Sequence, residues 1–235
     1  MRKEIGIHPA QASVLYALRH ESNARFSELL RTTTLTSDVF KFHMRKLVSL
    51  GYVTKRADGL YELTARGKEY ANRLDEQTGR EVLQPKSSML LIARTMQDGE
   101  IYYLAHRRTR EPFSGFWGIA SAPVLRGVSV AESASAGFLN QTGIAAEFLV
   151  SGSFRVIDKN PAGEVLEDKI FTIMVAELDS ATPPHAWHGG ERQWIVRDEL
   201  LGKEPLFPTT QQVLDMVDIG QQFAETVCVY TDEQY

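Results

Sequence analysis

The chain has 235 residues, 43% of them hydrophobic and 24% charged, with a formal net charge of −4, a soluble-type composition with room for two domains of about 100–150 residues each. Its longest apolar stretches, such as residues 88–93 and 170–175, fall far short of the roughly 20 residues a membrane helix needs. No apolar run follows Met1-Arg2-Lys3-Glu4 as a secretory signal would require, and a lone Cys228 excludes a disulfide framework or a Cys-rich zinc site. A cytoplasmic protein with no membrane association is the expectation.

Charge is unevenly divided. Residues 1–80 carry 14 Lys/Arg against 9 Asp/Glu, and residues 81–235 carry 12 against 21. A basic first half permits a polyanionic partner without demanding one.

The first predicted helix covers 9–20, with Pro9 at its first position and Ala10, Val14, Leu15 and Leu18 along one stripe. A second is expected at about 24–31, then a break at Thr32-Thr33-Thr34, whose hydroxyls compete for backbone hydrogen bonds. A third, capped by Thr36 or Ser37, runs to about Leu50 and ends at Gly51. Phe40, Met44 and Leu47 face inward on it; Ser37, Asp38, Lys41, Phe42, Arg45 and Lys46 take the other side. Alternating segments at 52–56 and 60–63 flank Asp58-Gly59, a tight-hairpin dipeptide, and a helix at about 65–75 follows.

Three helices followed by a hairpin is the winged-helix order. Residues 37–53 resemble the recognition helix and wing entry of ArsR/MarR-like regulators, through His43, Met44, Leu47, Gly51 and Val53. That resemblance implies a double-stranded DNA partner, with the helix in the major groove and basic residues on phosphates. The DNA-binding candidates are Ser37, Lys41, Phe42, Arg45, Lys55 and Arg56. The alternative is an ordinary solvated helix face on a protein-interaction module.

Residues 1–78 are therefore assigned to a winged-helix DNA-binding domain, 79–87 to a polar linker, 88–220 to a second domain and 221–235 to a C-terminal tail that either assists dimerisation or is disordered. In the second domain, strands are expected at 89–95, 101–106, 148–157 and 169–178, and helices at about 129–142 and 209–217. Mixed strands around a central helix suggest an α/β sandwich.

The landmarks of this half resemble the Nudix fold: residues 103–108 its second strand, Gly115-Phe116-Trp117 the approach to its signature loop, and residues 193–200 its late Trp-x-x-x-x-Glu-Leu turn. The fold class is thus a two-domain α+β chain, winged helix first and Nudix-type α/β/α sandwich second. The Nudix signature, Gly-x5-Glu-x7-Arg-Glu-U-x-Glu-Glu-x-Gly-U with U a bulky apolar residue, registers on Gly143-Ile144. Ala122 then stands at the first Gly, Val128 at the first Glu and Ala136 at the Arg. Gly137, Asn140 and Gln141 take the remaining Glu positions, while Phe138 keeps the bulky one. Diphosphate hydrolysis by this family needs Mg2+ or Mn2+ on carboxylate oxygens. Their replacement predicts a domain that is not an enzyme, with no catalytic residues, no metal site and no cofactor. Isolated carboxylates at Glu132, Glu164, Glu167 and Asp168 offer only weak substitutes.

Arginines grip phosphate and aromatic rings stack on bases, so Arg107, Arg108, Arg110, Phe116, Trp117 and Glu191 are candidate ligand-binding residues. The competing reading makes Phe116 and Trp117 core and the arginines surface. His185, Trp187 and His188 lie on a loop that could line the same pocket. The resemblance implies a transcription regulator sensing a small phosphorylated metabolite such as a nucleotide or sugar phosphate, and a homodimer is expected because paired half-sites multiply affinity. The alternative is a Mg-dependent Nudix hydrolase of a nucleoside diphosphate derivative with an accessory winged helix.

Overall fold

The computed structural model describes residues 7–75 and 82–235, which divide into two compact units at Leu83/Gln84. Part of the expected linker (79–81) lies outside the described residues.

The first unit runs α1 (Pro9–His20), α2 (Phe26–Arg31), α3 (Ser37–Ser49), β1 (Val53–Lys55), β2 (Tyr61–Leu63) and α4 (Ala65–Ala71). His8 caps α1, its side chain accepting from the Ala10 amide while Gln11 reaches back to the His8 N–H. Thr36 is the N-cap of α3 by backbone position and makes no side-chain cap bond, so Ser37 is the first helical residue. Gly51, at φ +72°, takes the left-handed conformation that turns the chain from α3 into β1. The hairpin pairs Val53 with Leu63 and Lys55 with Tyr61, and Ala24 adds a bridge to Tyr61. Val14, Leu15, Leu18, Leu29, Phe40, Met44, Leu47 and Val53 form its core.

The second unit is built on β3 (Lys86–Gln97), β4 (Glu100–Arg108), β5 (Trp117–Pro123), α5 (Val130–Thr142), β6 (Leu149–Lys159), β7 (Val165–Leu178), β8 (Gly190–Val196), α6 (Arg197–Leu201), α7 (Thr210–Ile219) and β9 (Phe223–Val229). Its seven strands form one sheet in the order β8-β4-β5-β3-β7-β6-β9. β3–β7 and β6–β9 are parallel and the other pairs antiparallel.

Helix α5 lies on one face, with Ala134 and Phe138 packed among Met89, Leu91, Leu104, Phe148 and Met174. On the other face, Leu200 of α6 and Val213, Leu214 and Met216 of α7 meet Ile92, Phe154, Val156, Ile173 and Ile195. Burying the alternate residues of each strand on opposite faces yields two apolar layers and an α/β/α sandwich. Ser129 caps α5 and forms a capping box with Glu132; Gly143, at φ +74°, ends it.

The assigned bounds of this unit need correction. It begins at Lys86 in β3, and residues 221–235 are no loose tail, because they contain β9, parallel to β6, followed by Tyr230 buried in the core. Strands β5 and β8 also occupy stretches assigned to loops and turns.

Candidate functional site

In the first unit, Asp38, Lys41, Phe42 and Arg45 follow one another at helical spacing along the solvent side of α3, and each is exposed. Phe42 is 62% exposed, with its ring edge-on to His43 at 5.5 Å. Beneath this stripe His43 is buried and stacks on His8 at 4.3 Å, which ties α3 to the start of α1. Asp38 sits in the first turn, where the helix dipole favours negative charge. Lys55 lies over the Tyr61 ring at 5.6 Å. Arg56, expected to face phosphate, is already paired with Asp58 at 3.1 Å and Glu62 at 3.7 Å, so its charge is largely neutralised within the hairpin.

In the second unit, strand alternation separates the expected ligand residues. Arg107 stands opposite both Trp117 and Glu191 across the β5-β4-β8 ladder, and register partners point to the same face. Arg107 pairs with Glu191 at 3.4 Å. Trp117 has Lys203 above its ring at 5.2 Å, next to an open hollow of about 660 Å3 lined by residues 201–206. Phe116 is 5% exposed and packs on Phe113, Phe207 and Tyr230. It is core, and its assignment as a ligand contact is withdrawn.

The opposite face carries a constellation that the sequence reading did not assemble. His106 on β4 and Arg192 on β8 are register partners. Arg192 reaches the C-terminal end of α5, where its Nη1 donates to the Gln141 carbonyl at 2.9 Å and its Nη2 to Gln141 Oε1 at 2.7 Å. Gln141 Nε2 donates in turn to the Ser121 carbonyl at 3.0 Å. Trp187 lies against the guanidinium, ring centroid to Arg192 Cζ 4.7 Å, and on Arg110 at 5.7 Å. Its loop is pinned by three bonds: Trp194 Nε1 to the Thr182 carbonyl (2.8 Å), the His185 amide to the Thr142 carbonyl (2.8 Å), and Thr109 Oγ1 to the His188 carbonyl (3.1 Å).

The electrostatics follow from this packing. Burial, aided by the positive charges of Arg192, Arg108 and Arg110, pushes His106 down to about 3, so it is neutral at any physiological pH. Burial likewise lowers Arg192 to about 10, still charged at neutral pH. Gly190 is required here, because a Cβ would collide with the His106 ring and the Arg107 carbonyl. Gly190→Ala is expected to cost about 1–3 kcal/mol by overpacking, measurable as a lower midpoint in urea; an unchanged midpoint would contradict this packing.

A divalent ion does not fit these residues. Of the signature's carboxylate positions, Val128 and Asn140 are exposed, Gly137 has no side chain, and the Gln141 oxygen is taken by a cation. Among the described residues, no group of three or more His, Cys, Asp or Glu is placed to hold a metal. The nearby carboxylates are otherwise engaged: Glu132 in the Ser129 cap, Asp168 with Arg155 at 2.9 Å, Glu167 with Lys169 at 2.5 Å, and Glu164 with Asn160 at 2.7 Å.

The first structural similarity in point is to the NUDIX domain of Shewanella oneidensis NrtR, complexed with ADP ribose. Its TM-score is 0.51 at 14% identity, covering 64% of this chain and 96% of that one. A MutT NUDIX hydrolase from Burkholderia pseudomallei (TM-score 0.47, 24% identity, 57% of this chain and 99% of that one) and S. oneidensis NrtR itself (0.46, 13%, 56% and 60%) are also similar. Identities this low speak to fold alone: the second unit has the Nudix-type α/β/α fold. No protein-family model and no curated protein matches the chain. Among the described residues, no helix is long and apolar enough to cross a membrane.

Proposed function

We propose that the protein is a DNA-binding transcription regulator, acting as a homodimer, whose Nudix-type unit is non-hydrolytic and senses a small phosphorylated metabolite. One observation carries the reading: the Nudix framework is retained, while the position of a metal-binding carboxylate is an amide clamped by an arginine. Hydrolysis through that position would require a hard cation beside a guanidinium, which charge repulsion opposes. The NrtR domain of like fold was solved with ADP ribose, which supports a ligand of that chemical class here.

In this reading the first unit is a winged helix, with α3 as recognition helix and β1–β2 as wing. Its solvent-facing Lys41, Phe42 and Arg45, with Ser37 at the helix start and Lys55 on the wing, support DNA contact. Lys41 and Arg45 have no ion-pair partner among the described residues, so their charge is available to phosphates. Two such helices on one dimer would address two half-sites.

Gel shifts on DNA from upstream of the protein's own coding region, titrated with salt, test this. Affinity is expected to fall linearly on logarithmic axes, and Lys41→Ala and Arg45→Ala are each expected to reduce the slope by about 1. Slopes unchanged by both substitutions would remove α3 from the interface. Mg2+-dependent cleavage of a nucleoside diphosphate derivative would replace the sensor with a hydrolase.

A further inference from the structure

Arg192 is a half-buried cation whose partners among the described residues are all neutral: a carbonyl, an amide oxygen and an indole face. Two of its five N–H groups are used, and its Nε, closed off from solvent, has no acceptor. Withdrawing a charge from water is costly unless a counter-charge meets it, so buried cations ordinarily sit beside a carboxylate or an anion. None of the described ion pairs involves Arg192 or Arg110. Arg108 differs: Glu111 and Glu167 act on it electrostatically, and its own bonds go to the Arg110 and Glu111 carbonyls at 2.9 and 3.2 Å.

Both guanidinium groups lie over the same tryptophan ring, Arg192 from the strand at 4.7 Å and Arg110 from the exposed loop after β4 at 5.7 Å. Glu191, adjacent in sequence to Arg192, cannot neutralise it, because it points to the other face and meets Arg107. The positive charge stands at the end of α5 where the signature would have assembled carboxylates and metal. In a metal-dependent site the cations on the protein side are the ions that bridge to the substrate's phosphates. Here the protein provides its own cation at that place.

We propose that Arg192 and Arg110 form a metal-independent site for a phosphate or diphosphate group, with the guanidinium of Arg192 standing in for the divalent ion and the Trp187 ring in contact with both arginines. Guanidinium suits this role because the second hydrogens of Nη1 and Nη2 remain after the two given to Gln141, and its charge persists at all physiological pH values. The inference rests on the sensor reading above and names the chemistry of the ligand group recognised.

The test is isothermal titration of the full chain with inorganic pyrophosphate in EDTA, against sodium chloride at matched ionic strength. Saturable binding is expected without metal, weakened roughly ten- to a hundredfold in Arg192→Gln, as for loss of a charge-assisted hydrogen bond. Arg110 is exposed, so Arg110→Gln tests the same site without endangering the fold, and a weakening of similar order is expected. Absence of binding in EDTA, binding only with Mg2+, or equal binding by wild type and Arg110→Gln would each overturn the assignment. Phosphate release from pyrophosphate in a parallel Mg2+ reaction would instead overturn the non-hydrolytic reading, so the two failures are distinct.

Discussion

Removing residues 221–235 is expected to leave the second unit unable to fold. β9 pairs with β6 from Ser153↔Phe223 to Lys159↔Val229 and contributes Ala224 and Cys228 to the core. Tyr230 is buried, and Tyr235 packs on Phe113 at 5.2 Å while its carbonyl accepts from the Phe113 amide. Without this segment β6 becomes a bare edge, and Phe154, Val156 and Phe113 lose their cover. The buried Asp158, held by Lys169 at 2.7 Å, also loses its strand neighbour Cys228. Deleting one large buried aromatic side chain costs about 3–5 kcal/mol, and a domain's whole stability is about 5–15 kcal/mol. The expected result is insoluble chain or loss of the cooperative melt assigned to this unit, with Tyr230→Ala a milder version that lowers its midpoint. A truncated protein melting within a few degrees of full length would show that β9 is not integral to the sheet.

That segment also shows where the sequence ceased to be legible. Helices α1, α3 and α5 announce themselves through apolar residues at three- and four-residue spacing and through end signals such as Ser129 with Glu132 before α5 and Gly143 after it. Strand β9 inverts the usual cue. Its inward residues are Ala224 and Cys228, while the larger Phe223, Val227 and Val229 are exposed, and its partner β6 lies on the far side of β7, β8 and two helices in sequence. Strand β5 contains Gly118, Ala120 and Ala122, residues of low strand preference; Ala122 lies against Gly137 of α5, while the space beside Gly118 is taken by Phe207 and Thr210. Strand β8 carries the polar run Glu191, Arg192 and Gln193, which lacks the apolar alternation that marks a strand.

The site depends on the same strand. The neutral residues at 137, 140 and 141 could be read directly by registering the signature on Gly143, but what replaced their chemistry could not. Arg192 meets Gln141 only because β8 pairs with β4, a pairing between distant segments that no local pattern specifies. One signal is present in the sequence. Adjacent residues on a strand face opposite ways, so Arg107 and Arg108 could not both line one pocket. Alternation alone would have grouped His106 with Arg108.

Writing the three lost glutamates back into α5 is expected to yield no working metal site while Arg192 remains. A Cβ at position 137 would stand 2.9 Å from the Ala122 Cβ, closer than real Cβ contacts allow. The signature places Gly at position 122 and Glu at 137, and this chain has exchanged the small residue between them. Gly137→Glu alone should therefore cost about 1–3 kcal/mol through overpacking, a cost that Ala122→Gly relieves; a single variant as stable as wild type would refute this coupling. Gln141→Glu meets a second obstacle. Its carboxylate would lie at the present 2.7 Å from Arg192 Nη2, and a charge-assisted pair would form in place of metal coordination. Ala122→Gly/Gly137→Glu/Asn140→Glu/Gln141→Glu is expected to fold, yet to show no Mg2+ binding by calorimetry and no Mg2+-dependent cleavage of nucleoside diphosphate derivatives. Adding Arg192→Gln frees the new carboxylates and should bring Mg2+ binding with it. Hydrolysis by the fourfold variant with Arg192 intact would mean that the missing glutamates alone silence the site, and that the arginine clamp is incidental.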